Sequence, residues 1–160
     1  MQTHYSQANA LPTQNTQDNQ SLYEQDFLLW LETTTKLLKE QRFTELDLAN
    51  LIEEIEDMGK SSKSALRSNL IVVLLHLLKW KYQAEKQSKS WQLSIFEHRR
   101  RLNDDFQDSP SLKRYYAEIF SKCYQNACQQ AVIETGMSLE KFPVESPFTL
   151  EQVLDSEFLP

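Results

Sequence analysis

One stretch constrains this chain more than any other. Leu66, Leu70, Val73, Leu77, Trp80 and Ala84 recur at spacings of 4, 3, 4, 3 and 4, and between Leu70 and Leu78 every residue except His76 is aliphatic. A helix that is striped at its ends and apolar all round at its middle must be wrapped by other helices. The pattern predicts a long central helix over about 61–86, restarted after Gly59 at Ser61 or Ser62, with one imidazole in its most apolar part. The chain has only 2 Gly and 5 Pro in 160 residues, so few turns interrupt its helices. The expected fold is all-α, a five-helix bundle around this central helix.

Residues 1–21 carry no apolar periodicity and are rich in Gln, Asn, Thr and Ser. Such a segment buries too little surface to offset its ordering entropy, so a disordered polar tail is expected, followed by a single helical domain over 22–160. Ser21-Leu22-Tyr23-Glu24 matches a capping box opening a first helix, with Phe27, Trp30, Leu31, Thr34, Leu37 and Leu38 at core spacing and an end near Glu40. Thr44 to Asp47 starts a second helix whose inner face is Leu48, Leu51, Ile52 and Ile55, and Gly59 stands where a left-handed residue would stop it. A fourth helix puts Trp91, Ile95, Leu102 and Phe106 on one side. Ser109-Pro110 opens a fifth, ending at Thr135-Gly136, with Cys123 on its apolar face and Cys128 off it. Phe142-Pro143 and Pro147-Phe148 mark an extended segment over the bundle, and Thr149 to Gln152 is a second capping box before a short helix.

The bulk properties narrow the function classes. A net charge of −6 opposes a primary role on DNA, which requires a basic face. No apolar core of a signal peptide is visible, and the run Leu70–Leu78 is far short of the ~20 residues that a membrane span needs. A soluble cytoplasmic protein with two reduced thiols is expected.

Three constellations could carry chemistry. Glu54 and Glu56 flank the expected inner face of the second helix, where they could provide a general base, and His76 could complete an acid/base pair with either. The alternative is a solvated acidic face and a hydrogen-bonded core histidine. No Glu-x-x-His or His-Glu-x-x-His pattern occurs, so no metal ligands and no cofactor are assigned. The segment 79–101 is net +5 and residues 40–57 are net −6. Lys79, Lys86, Lys89, Trp91 and Arg99 are therefore candidates for binding an acidic or protein partner, with Trp91 available for stacking. Alternatively the two segments pair with each other, with Arg99 reaching inward to Glu54 or Glu56.

Tyr23, Asp26, Phe27 and Trp30; Leu46-Asp47; Glu53-Glu54-Ile55-Glu56 with Met58-Gly59; His76-Leu77-Leu78-Lys79-Trp80; Ser109-Pro110-Ser111-Leu112; Glu134-Thr135-Gly136; and Phe142-Pro143 occur in this order. In them the chain resembles a bacterial, largely cyanobacterial family, the domain of unknown function numbered 29, over Tyr23 to Pro160. The resemblance implies an all-helical, cytoplasmic, single-domain protein and no established substrate, cofactor or reaction. The chain departs from the family pattern at His98, where Gln is common. Three functions compete: a non-catalytic binding or adaptor module, a metal-assisted hydrolase using Glu54, Glu56 and His76, and a nucleic-acid-associated protein using 79–101.

Overall fold

A computed structural model describes residues 22–160, so the expected tail and Ser21 of the first capping box lie outside the described residues. The described chain is all-α, with no strand among those residues. It divides into two compact units, one up to Met58 and one from Gly59 onward.

The first unit begins with a helical turn at 22–25 that breaks at Asp26. Asp26 caps α1 (Phe27–Lys39) by accepting from the Leu29 amide at 3.0 Å. The helix ends where the sequence places its stop. Gln41 takes the left-handed conformation (φ 58°), its amide reaches the Leu38 carbonyl and the Arg42 amide reaches that of Leu37. This is a Schellman motif closed without glycine. Arg42 reinforces it with a fork onto Glu45, both bonds 2.6 Å, and a 2.9 Å contact to Glu40. Of the expected core positions on α1, Trp30, Thr34 and Leu37 are buried, whereas Phe27, Leu31 and Leu38 are exposed. At ~100° per residue the buried three share one narrow face, and the exposed three form the stripe beside it.

The second helix, α2, runs from Leu48 to Tyr82 without a break. The expected stop at Gly59 and restart at Ser61 or Ser62 are therefore corrected, and the central helix is 48–82 rather than 61–86. Stopping a helix at glycine requires a positive φ, and Gly136 is the one described glycine that has it. A glycine inside a helix costs only about 1 kcal/mol against alanine, so the helix continues through it. The expected inner face of its first turns is also corrected. Leu51 is half-buried, but Leu48, Ile52 and Ile55 lie in solvent.

The second unit contains the main core. Leu66, Leu70, Val73, Leu74, Leu77 and Leu78 of α2 are buried as the stripe predicts, together with residues of α3 (Lys89–Asp108) and α4 (Leu112–Thr135). Ser109-Pro110 forms a turn, and α4 starts at Leu112, two residues later than the sequence signal suggests. Both Cys123 and Cys128 are buried free thiols, so Cys128 belongs to the core as well. Gly136 caps α4 with φ 70°. The chain then crosses the bundle in irregular form as far as α5 (Leu150–Leu154), whose Thr149–Gln152 capping box forms as expected. Phe142, Phe148 and Val153 anchor this segment in the core.

Candidate functional site

In the second unit three large polar side chains, Arg99, Tyr116 and Tyr124, donate to backbone carbonyls of the unit itself. Arg99 falls on the apolar stripe Ile95–Leu102–Phe106 of α3 and is buried. Its guanidinium donates to the carbonyls of Val153 and Phe158, both at 2.8 Å, and of Gln152 at 3.1 Å. The inward orientation agrees with the sequence expectation, but the partner does not. Three peptide carbonyls of the C-terminal segment replace the expected carboxylate of Glu54 or Glu56. Burial lowers the Arg99 pKa, with Asp155 opposing. Tyr116 and Tyr124 continue the pattern, donating their hydroxyls to the carbonyls of Leu150 (2.9 Å) and Pro143 (2.7 Å), and burial pushes both phenols upward. No motif announces this arrangement. A positively charged residue at core spacing was its only sequence signal.

His76 is half-buried on α2, and its Nδ1 hydrogen donates to the Val72 carbonyl one turn back at 2.9 Å. Burial lowers its pKa below 6.5, as does Lys79 nearby, with the Val72 bond and, less strongly, Glu134 opposing. His98 on α3 stands close enough for the two imidazoles to repel when charged. It donates from Nδ1 to Asn69 Oδ1 at 2.8 Å, and burial and Arg101 lower its pKa. The expected pair of His76 with Glu54 or Glu56 is not brought together. Both carboxylates lie on the same helix as His76, at least 20 residues before it, whereas helical neighbours are three or four apart. Glu54 instead accepts the Tyr23 hydroxyl at 2.6 Å, and this bond pushes the phenol up to about 12. Glu56 is exposed. Among the described residues no group of three or more His, Cys, Asp or Glu side chains could hold a metal ion, so the donor set of the hydrolase reading is not assembled there.

The basic segment is less available than its composition suggests. Lys79 is almost buried; its ammonium sits 2.6 Å from Glu134 and 4.5 Å from the centre of the half-buried Trp91 ring. Arg100 pairs with Asp104 and Glu97 along its own helix. Lys86 and Lys89 are exposed. Thus, of the five expected binding residues, Lys79, Trp91 and Arg99 take part in packing the second unit and two lysines face water. A groove of about 520 Å³ lies beside α4, lined by Tyr124, Gln125, Cys128, Phe142, Pro143 and Val144 among others, with Glu140 as its one charged residue.

The first unit has the opposite character. Residues 22–58 hold ten carboxylates against three cations, net −7, and all three cations fall between Lys36 and Arg42. In α2, Leu48, Ile52 and Ile55 are 54%, 55% and 60% exposed at i, i+4 and i+7. Scattered exposed aliphatics are ordinary on a protein surface; these three share one helix face.

These features define the class: an all-helical protein in which Arg99, Tyr116 and Tyr124 hold backbone carbonyls and in which Leu48, Ile52 and Ile55 are exposed on one helix face beside acidic residues. The chain belongs to the family described as domain of unknown function DUF29, whose model matches residues 22–159. No curated protein and no solved structure matches it. Among the described residues, no helix is long and apolar enough to cross a membrane.

Proposed function

We propose that this chain is a non-catalytic binding or adaptor module of the bacterial, largely cyanobacterial cytoplasm, with residues 22–160 as its working domain. The observation that carries the reading is the row Leu48, Ile52 and Ile55. It has the spacing of a core face and more than half of each side chain in water. At about 25 cal/mol per Å² of apolar surface, covering such a row is favourable, and a partner gains that free energy on docking. The engagement of Arg99, Lys79 and His76 in bonds within the second unit supports the same view, because those side chains act as scaffold.

Photo-crosslinking tests the proposal in cells that make the intact protein. A benzophenone side chain at position 52 should give one adduct of defined mass. The same group at exposed position 118 of α4 should not. Identical adduct patterns at the two positions would refute the reading.

A further inference from the structure

The first unit specifies what kind of partner its apolar row takes. Leu48, Ile52 and Ile55 span two helical turns, about 10 Å of α2. Residues 47–58 contain five carboxylates and no basic residue; Asp47 is buried and Glu54 accepts from Tyr23, which leaves Glu53, Glu56 and Asp57 exposed. At ~100° per residue Glu56 borders the row, and Glu53 lies one step beyond it. Both are exposed, and Glu53 is close enough to Tyr23 to help raise its pKa. A second copy pairing through the same face would bring two units of net −7 together, and an anionic membrane would meet the same repulsion. A partner that covers the row must be apolar where the row is and cationic where the carboxylates are.

We propose that this face of α2 docks a basic amphipathic helix of another protein, with its own apolar residues at i, i+4 and i+7 and Lys or Arg beside them. The inference rests on the binding-module reading and adds the chemistry of the ligand. Helices that lay an apolar stripe against a partner surface recur as a recognition mode, with flanking charge setting specificity and encounter rate.

The test uses the full chain and three fluorescently labelled peptides of about 15 residues, long enough to form helix on docking. One carries the apolar stripe with Lys and Arg flanks, one the same stripe with Glu flanks, and one the basic composition with the stripe scrambled. Anisotropy titration should show the first binding in the micromolar range and the other two at least ten times more weakly. I52E should weaken the first peptide at least tenfold without lowering the melting temperature, and I55Q should act in the same direction. E53K with E56K should weaken binding and flatten its salt dependence. Equal binding of the acidic-flanked or scrambled peptide would overturn the proposal, as would an unchanged titration of I52E. Stronger binding to anionic vesicles, or a dimer in sedimentation that I52E dissociates, would also overturn it in favour of another occupant. A crosslink at position 52 with no binding of the basic striped peptide would retain the adaptor reading and reject this partner; absence of both would reject both.

Discussion

Replacing Arg99 by methionine removes the charge and keeps much of the side-chain length, so it isolates what the three carbonyl bonds contribute. The bond to Val153 is buried, and its carbonyl would be left without a partner at a cost of about 1–3 kcal/mol. The Gln152 and Phe158 carbonyls are part-buried. Water can replace the arginine at both, so each loss is nearer ~0.5–1 kcal/mol. Against these stands the relief of desolvating a guanidinium, which burial already disfavours. The net expectation is a loss of about 2–4 kcal/mol from a total of ~5–15. For a chain of this size that is a fall of roughly 5–15 °C in Tm. Urea unfolding followed by circular dichroism measures the total, and hydrogen exchange locates it, with protection lost first in α5 and around Phe158. R99K should fall between the parent and R99M, because an ammonium cannot span three divergent carbonyls. R100M is the control: its ion pairs are exposed and short-range, and it should change stability by no more than ~0.5 kcal/mol. If R99M and R100M unfold alike, Arg99 does not hold the C-terminal segment and the reasoning fails.

Two further outcomes follow from the titrating groups. His76 and His98 both have pKa values below the ordinary 6.5, so neither affects stability above that pH. Below it the unfolded chain takes up protons first, and stability should fall as pH drops from 6.5 through the folded-state values. H98Q should flatten the decline in an unfolding series, and an unchanged slope would contradict the burial of His98 as the cause of its lowered pKa. Tyr23 is raised by its bond to the Glu54 carboxylate to about 12. Its contribution to stability is complete below pH 10 and disappears as pH rises through 12. The tyrosinate absorbance missing from Y23F should therefore emerge near 12 in the parent and nearer 10 in E54Q; emergence near 10 in both would deny the bond.

The parts of the fold that periodicity could reveal are those in which local pattern and tertiary environment agree. The stripe from Leu66 to Leu77, the Gly136 stop and the Thr149–Gln152 capping box all formed because each encodes its own geometry within a few residues. The expected continuation fails at Ala84, which is exposed beyond the helix end. Gly59 misled because glycine permits a stop without enforcing one. The row Leu48, Ile52 and Ile55 was visible as a helix face, but periodicity reports that a face is apolar and not what covers it. Arg99 was legible as an inward charge. Its partners were not, because peptide carbonyls 53–59 residues away carry no side-chain signature. The Glu54–His76 pair was one of two readings, beside a solvated acidic face and a hydrogen-bonded core histidine. It assumed two helices where one runs through, and so allowed a contact that helical spacing forbids.

The two cysteines give the molecule a built-in gauge of its own opening. Cys123 and Cys128 are 1% and 4% exposed, and burial raises both thiol pKa values, so little thiolate is present or reachable while the core stays closed. Alkylation of Cys123 must then wait for α4 to lift from its neighbours, whereas Cys128 also borders the groove beside α4. When closing outpaces the reagent, the labelling rate is the open fraction multiplied by the intrinsic rate of a free thiol. A thiol probe applied to the native chain at neutral pH therefore counts rare excursions of the core that spectroscopy averages away.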